Sequence, residues 1–142
     1  MEVKIMKHKF IFRLTTIFWA LVGVFTVIVS NIILMPLIPQ VLRGYMIFLM
    51  FTSWTFFFAL GLALIVLTLK KKVEGSLKKF LLLTGASAVG FPVFVILHNV
   101  VDGLLNVEEP FFFLLAVIVC PLGFLVGAIG AIVLFRKKGK GQ

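Results

Sequence analysis

Four stretches of this chain carry no charge over lengths that a bilayer explains and a soluble core does not. Residues 14–42, 44–69, 80–101 and 110–135 contain no Lys, Arg, Asp or Glu. Crossing the hydrocarbon takes about 20 apolar residues in a helix rising ~1.5 Å per residue, and all four stretches are long enough. A helix in a soluble core keeps one polar face and meets a charge every turn or two. Composition agrees: 62% of residues are hydrophobic and 13% charged, against about 45–50% and about 25% in soluble domains. Seventeen Phe beside one Tyr and two Trp is a hydrocarbon-facing choice, because Phe has no polar group to satisfy. In lipid every backbone amide must be bonded within its own segment, so each span is a helix. The predicted fold class is all-α: an integral membrane four-helix bundle with spans over roughly 14–36, 45–69, 80–101 and 110–135.

The connections leave no room for a second domain. They read "PLIPQVLRG", "KKKVEGSLKK" and "DGLLNVEE", short enough to force sequential spans antiparallel. The expectation is one transmembrane domain over 1–142 with up-down-up-down topology. The first span follows Lys4, Lys7, Lys9 and Arg13. Its apolar core exceeds the ~7–15 residues of a secretory signal and no small-x-small cleavage site follows, so it reads as a retained signal anchor.

Basic residues give the orientation. Thirteen of the fourteen Lys and Arg lie in the two ends and the middle connection; Arg43 alone lies on the other side. Lys and Arg near span ends remain cytoplasmic, so both termini and the middle connection are expected inside, in a plasma (inner) membrane. Asp102, Glu108 and Glu109 fall in the third connection, on the outer side. The net charge of +9 does not imply nucleic acid. These cations flank spans, where each contributes about 1 kcal/mol of attraction to anionic headgroups, and the tail "RKKGKGQ" has no aromatic interleaving for base stacking. The partners implied are the bilayer, anionic lipid headgroups at the Lys/Arg flanks, and either further copies of the chain or a membrane partner subunit.

Helices in lipid approach one another where side chains are small. In span four Ala116, Cys120, Gly123, Gly127, Gly130 and Ala131 share about 100° of arc, and the run contains Gly123-x-x-x-Gly127. Span two offers Thr52, Thr55, Ala59 and Ala63 on one side, and span three contains "TGASAVG". Such faces serve either a homodimer or the interior of the bundle; four helices in one chain consume them internally. Pro92 and Pro121 fall within spans and are expected to bend them. Trp54, about ten residues from either charged end of span two, is expected to pack inward beside Thr52 and Thr55.

One polar interruption stands out, "GFPVFVILHNVVDGL" at 90–104. On a helical wheel Thr84 and Asp102 lie about 40° from His98, and Ser87 about 20°. His98 and Asp102 are one turn apart, where side chains meet. His98 and Asn99 sit just inside one interface and seek partners; those at similar depth include Asn31, Thr52, Ser53, Thr55, Glu108 and Glu109. Asn31, His98, Asn99, Asp102 and Glu108 therefore form the candidate polar cluster. It is either an interhelical clamp, at ~0.6–2 kcal/mol per bond, or an outward-facing site. His98-x-x-x-Asp102 offers two ligands where a closed zinc site needs four, so no metal is assigned.

The remaining chemistry is excluded by absence. Cys120 is the only cysteine, so no intramolecular dithiol cycle operates, unlike in the four-helix quinone-linked thiol oxidoreductases. Neither a phosphate-binding glycine loop nor a Ser-His-Asp arrangement occurs, and no cofactor is implied. Small multidrug transporters are also four-span, but need an acidic residue deep in span one, where this chain has Thr26, Ser30 and Asn31. The dual-topology fluoride channels do not share its charge bias. The function expected is non-enzymatic, a scaffold or accessory subunit of a membrane assembly. The alternative is a minimal oligomeric transporter or channel with its entrance at His98 and Asp102.

Overall fold

The computed structural model describes residues 2–70, 73–105 and 110–140, with side chains described over 11–70, 73–105 and 110–137. Its elements are α1 (Glu2–Leu34), a 3-10 turn (Met35–Leu37), α2 (Gln40–Lys70), α3 (Gly75–Leu105), α4 (Pro110–Leu114), a π-helical turn (Leu115–Val119) and α5 (Cys120–Lys140). No strand occurs among the described residues. Four helical segments are long and apolar enough to cross a membrane: Ile11–Leu37, Gln40–Lys70, Gly75–Leu105 and Pro110–Lys137, with mean hydropathy of 2.1 to 2.7. The chain is all-helical and carries the signature of a multi-pass membrane protein.

The helices outrun the uncharged stretches that predict them. α1 begins at Glu2 and α3 covers Gly75–Leu105, because loss of charge marks the hydrocarbon whereas the i→i−4 ladder continues into the headgroup zone. Proline ends α1. Pro36 lies in the 3-10 turn, and Ile38, which precedes Pro39, is extended at φ −94° and ψ 136°, as the clash with a following proline ring requires. The amide of Leu42 then donates to the carbonyl of Pro39 at 3.0 Å, opening α2. At the start of α3, Gly75 takes φ +70°, a left-handed conformation that costs any residue with a β-carbon.

Two compact units divide the described chain, Met1–Leu60 and Gly61–Gln142. In the first, Leu14, Phe18, Leu21, Ile28 and Asn31 form the buried stripe of α1, spaced by four, three, seven and three, as helical periodicity demands. The Phe25 and Phe57 rings stack with centroids 5.9 Å apart. Trp54 is half-buried beside Phe51, with ring centroids 6.4 Å apart.

In the second unit the end of α2, α3 and the α4–α5 segment pack through glycines. A β-carbon added to Gly61 would lie 2.9 Å from Cβ of Ala88 and 3.2 Å from the carbonyl oxygen of Gly85; one added to Gly85 would lie 3.1 Å from the carbonyl oxygen of Gly61. The two backbones meet where both residues lack a side chain. One step round the α3 helix, Thr84 and Ser87 face α5. α3 is therefore the middle helix of this unit, with adjoining small faces for two neighbours.

The face of α2 that does this differs from the one expected. Thr55 and Ala59 are exposed, whereas Ser53, Phe57, Gly61, Leu64 and Thr68 are buried. The hydroxyls of Thr52 and Thr55 donate to the carbonyls of Phe48 and Phe51 in their own helix, so neither needs a neighbour. Absence of a β-carbon at Gly61, rather than smallness spread along a face, sets the closest approach.

Candidate functional site

The α3–α5 seam is built from the bottom of the span upward. A β-carbon on Gly130 would fall on the Phe80 ring. One on Gly127 would lie 2.5 Å from the Thr84 hydroxyl, 2.8 Å from the Thr84 nitrogen and 2.9 Å from the Phe80 carbonyl oxygen. One on Gly123 would lie 2.5 Å from the Ser87 hydroxyl, and one on Gly90 3.2 Å from the Cys120 sulfur. Residues 80, 84, 87 and 90 thus meet 130, 127, 123 and 120 in descending order, an antiparallel pair. Ala116, Cys120, Ala128 and Ala131 are buried along it.

Beyond Cys120 the seam changes character. The π-helical turn precedes Pro121; the amide of Cys120 donates to the carbonyl of Leu115, five residues back. A proline has no amide for the ladder, and the one-residue insertion of a π-turn accommodates that gap. Pro92 lies at the same level of α3. Above both, aromatic rings replace the small residues. Phe94 stacks on Phe112 with centroids 6.3 Å apart and 17° between planes, and His98 lies tilted against Phe113 at 5.4 Å.

The candidate polar residues fall in both units. Asn31 belongs to the first unit and is 5% exposed. Its Nδ2 donates to the Val27 carbonyl at 3.0 Å, while its Oδ1 is buried with no hydrogen-bond partner among the described residues. His98, Asn99 and Asp102 belong to the second unit. Asn99 is exposed, and its Nδ2 donates to the Val95 carbonyl at 2.7 Å. Along the face that carries His98, Thr84 and Ser87 are buried, His98 is half-buried and Asp102 is exposed, so the face opens toward its end. Glu108 and Glu109 lie outside the described residues. Among the described residues no group of three or more His, Cys, Asp or Glu is placed to hold a metal ion.

Sequence reasoning missed Phe113 as a neighbour of His98. Its signal was present: with a connection as short as "DGLLNVEE", folding α3 back antiparallel brings the 110–113 turn opposite 94–98. The comparisons add no functional assignment, since no family model, curated protein or solved structure matches the chain.

Proposed function

We propose that the chain is a non-enzymatic scaffold or accessory subunit of a membrane assembly. In this reading it is one transmembrane domain over 1–142, its four helices alternating in direction, with both termini on the cytoplasmic side of the plasma (inner) membrane. The observation that carries the proposal is where the polar side chains spend their hydrogen bonds. The side chains of Thr15, Thr16, Thr26, Asn31, Thr52, Thr55, Thr68, Thr84 and Asn99 all donate to the carbonyl four residues earlier in their own helix. Donors satisfied in this way need neither water nor a ligand, so none of these bonds marks a hydrated path. Proton and many ion pathways also rest on Asp, Glu, His, Lys or Arg within the membrane, and of these the four stretches hold only His98, near one end.

The second reading, a minimal oligomeric transporter with its entrance at His98 and Asp102, draws support from the opening of that α3 face toward Asp102. Two measurements separate them. Liposomes containing the purified chain alone should pass protons and monovalent ions no faster than protein-free liposomes. Native mass spectrometry of nanodiscs cut from the source membrane should show the chain with a second protein at fixed stoichiometry. Flux above background, with homo-oligomers as the only species, would favour the transporter.

A further inference from the structure

We propose that the basic end of the second unit is a docking surface for an anionic phospholipid whose headgroup carries two phosphates. The proposal rests on the four-span membrane reading, and on neither the scaffold role nor the direction of insertion. Its basis is the register of three helices. α2 and α3 run in opposite senses, with Ile65 against Gly85; five residues further on, Lys70 comes level with Phe80 and Lys79. α3 and α5 also run in opposite senses, with Gly130 against Phe80; six residues further on, Arg136 stands about 9 Å beyond that level, beside the start of α3. Lys70, Lys78, Lys79, Arg136 and Lys137 therefore gather at one end of the unit, in a band about 10 Å tall. Lys78 is half-buried and the other four are exposed. Glu74 is the one described acid there. At the opposite end of α3 the exposed ionisable residue, among those described, is Asp102.

The distribution of charge selects the ligand. Lys70 ends α2, Lys78 and Lys79 lie in the first turns of α3, and Arg136 and Lys137 lie near the end of α5. The glycine contacts hold these three helices closely together. A single phosphate is met by cations of one or two helices. A headgroup with two phosphates bridges the α2–α3 cations and the α5 cations, and the second contact forms at high effective concentration once the first is made. The acyl chains then lie along the apolar flanks, where Leu69, Val133 and Ile129 are exposed. Basic pockets between helix ends on one side of a membrane are the recurring setting for such headgroups.

The experiment titrates the purified full chain, in a neutral detergent, with diphosphatidylglycerol or phosphatidylglycerol at matched total phosphate. Lipid bound per protein is read by native mass spectrometry. Diphosphatidylglycerol should half-saturate at roughly tenfold lower phosphate. Lys70→Gln with Lys79→Gln, and separately Arg136→Gln with Lys137→Gln, should each weaken it by roughly tenfold, the whole gain from the second phosphate contact. Both should bring it down to the phosphatidylglycerol value. These side chains are exposed, and thermal unfolding without lipid verifies that each variant folds. Three results would overturn the proposal: equal half-saturation by the two lipids, loss through only one of the two pairs, or displacement of the lipid by inorganic pyrophosphate at equal phosphate. Ion flux by the chain, or a lack of protein partners, would count against the scaffold and leave this outcome unaffected.

Discussion

At Gly127 the atoms that an added methyl would meet include the Thr84 nitrogen at 2.8 Å and the Phe80 carbonyl oxygen at 2.9 Å, and backbone cannot step aside. Gly127→Ala should therefore destabilise the chain in detergent by about 1–3 kcal/mol, as overpacking does, despite the helix propensity it gains. Gly123→Ala should cost less, because its nearest obstacle is the Ser87 hydroxyl, which a rotamer change moves. Gly23 has no such obstacle within 4 Å, and Gly23→Ala should be neutral or stabilising by up to ~1 kcal/mol. Thermal unfolding of the three variants checks this ranking, and equal losses would refute it. Asn31 gives a second test, since its buried Oδ1 accepts no hydrogen bond from the described residues. Asn31→Leu removes that unsatisfied oxygen together with the Nδ2 bond to Val27. The lost bond is a net loss of about 1 kcal/mol set against a desolvation cost of about 1–3 kcal/mol, so the variant should hold or raise the unfolding temperature of the isolated chain. A drop of more than about 1 kcal/mol would reveal a donor to that oxygen. A third test is the His98→Ala, Phe113→Ala cycle, which should show a coupling of about 0.5–1.5 kcal/mol from the 5.4 Å ring contact. Zero coupling would leave His98 with no stabilising role at this contact and favour the entrance reading.

Among the elements, the π-turn in the fourth span was the least legible. Pro121 signals a disturbed ladder, but a proline is equally compatible with a plain kink, and nothing in "LAVIV" distinguishes the two. Other features were readable in proportion to how directly physics constrains them. Lack of charge over 80–101 predicts a helix because lipid allows no other open segment. The buried face of α2 was harder, because a helix that is apolar all round has no polar side to mark its orientation, and the deciding residue, Gly61, is single. The seam between α3 and α5 was more visible because small residues recur along both "TGASAVG" and the Ala116–Ala131 arc. A π-turn is one residue inserted into an α-helix, and that makes it testable. Deleting Ile118, which is exposed, should restore α geometry over 115–119 and preserve the registers of Phe113 and Gly123 on either side. Deleting Val126, also exposed but within ordinary α-helix, turns Gly127 and Ala131 through about 100° relative to Gly123 and should abolish the seam. The expected outcome is a folded Ile118 deletion and a Val126 deletion that fails to unfold cooperatively. Equal damage would mean that the wide turn is not a separable insertion.

For the whole molecule the decisive quantity is where charge sits relative to the hydrocarbon. Moving a cation-rich connection across the bilayer is opposed at every Lys and Arg near the span ends, and the middle connection holds five. The chain should therefore insert one way round, with that connection and both ends in the cytoplasm. Cys120 is 5% exposed, and replacing it by Ser gives a background without thiols. Gln40, at the start of α2, and Gly103, near the end of α3, are exposed, and a cysteine at either should react with an impermeant maleimide added to intact cells. Ser76, in the first turn of α3, is also exposed, but a cysteine there should react only after the membrane is opened. The sites at 76 and 103 lie on one helix, 27 residues or about 40 Å apart, more than the ~30 Å of hydrocarbon, so opposite labelling also establishes that α3 crosses. Labelling of residue 76 in intact cells would reverse the orientation and place the termini outside. Labelling of both 76 and 103 in intact cells would mean mixed insertion, and a charge bias of thirteen to one would then not be what directs this chain into the membrane.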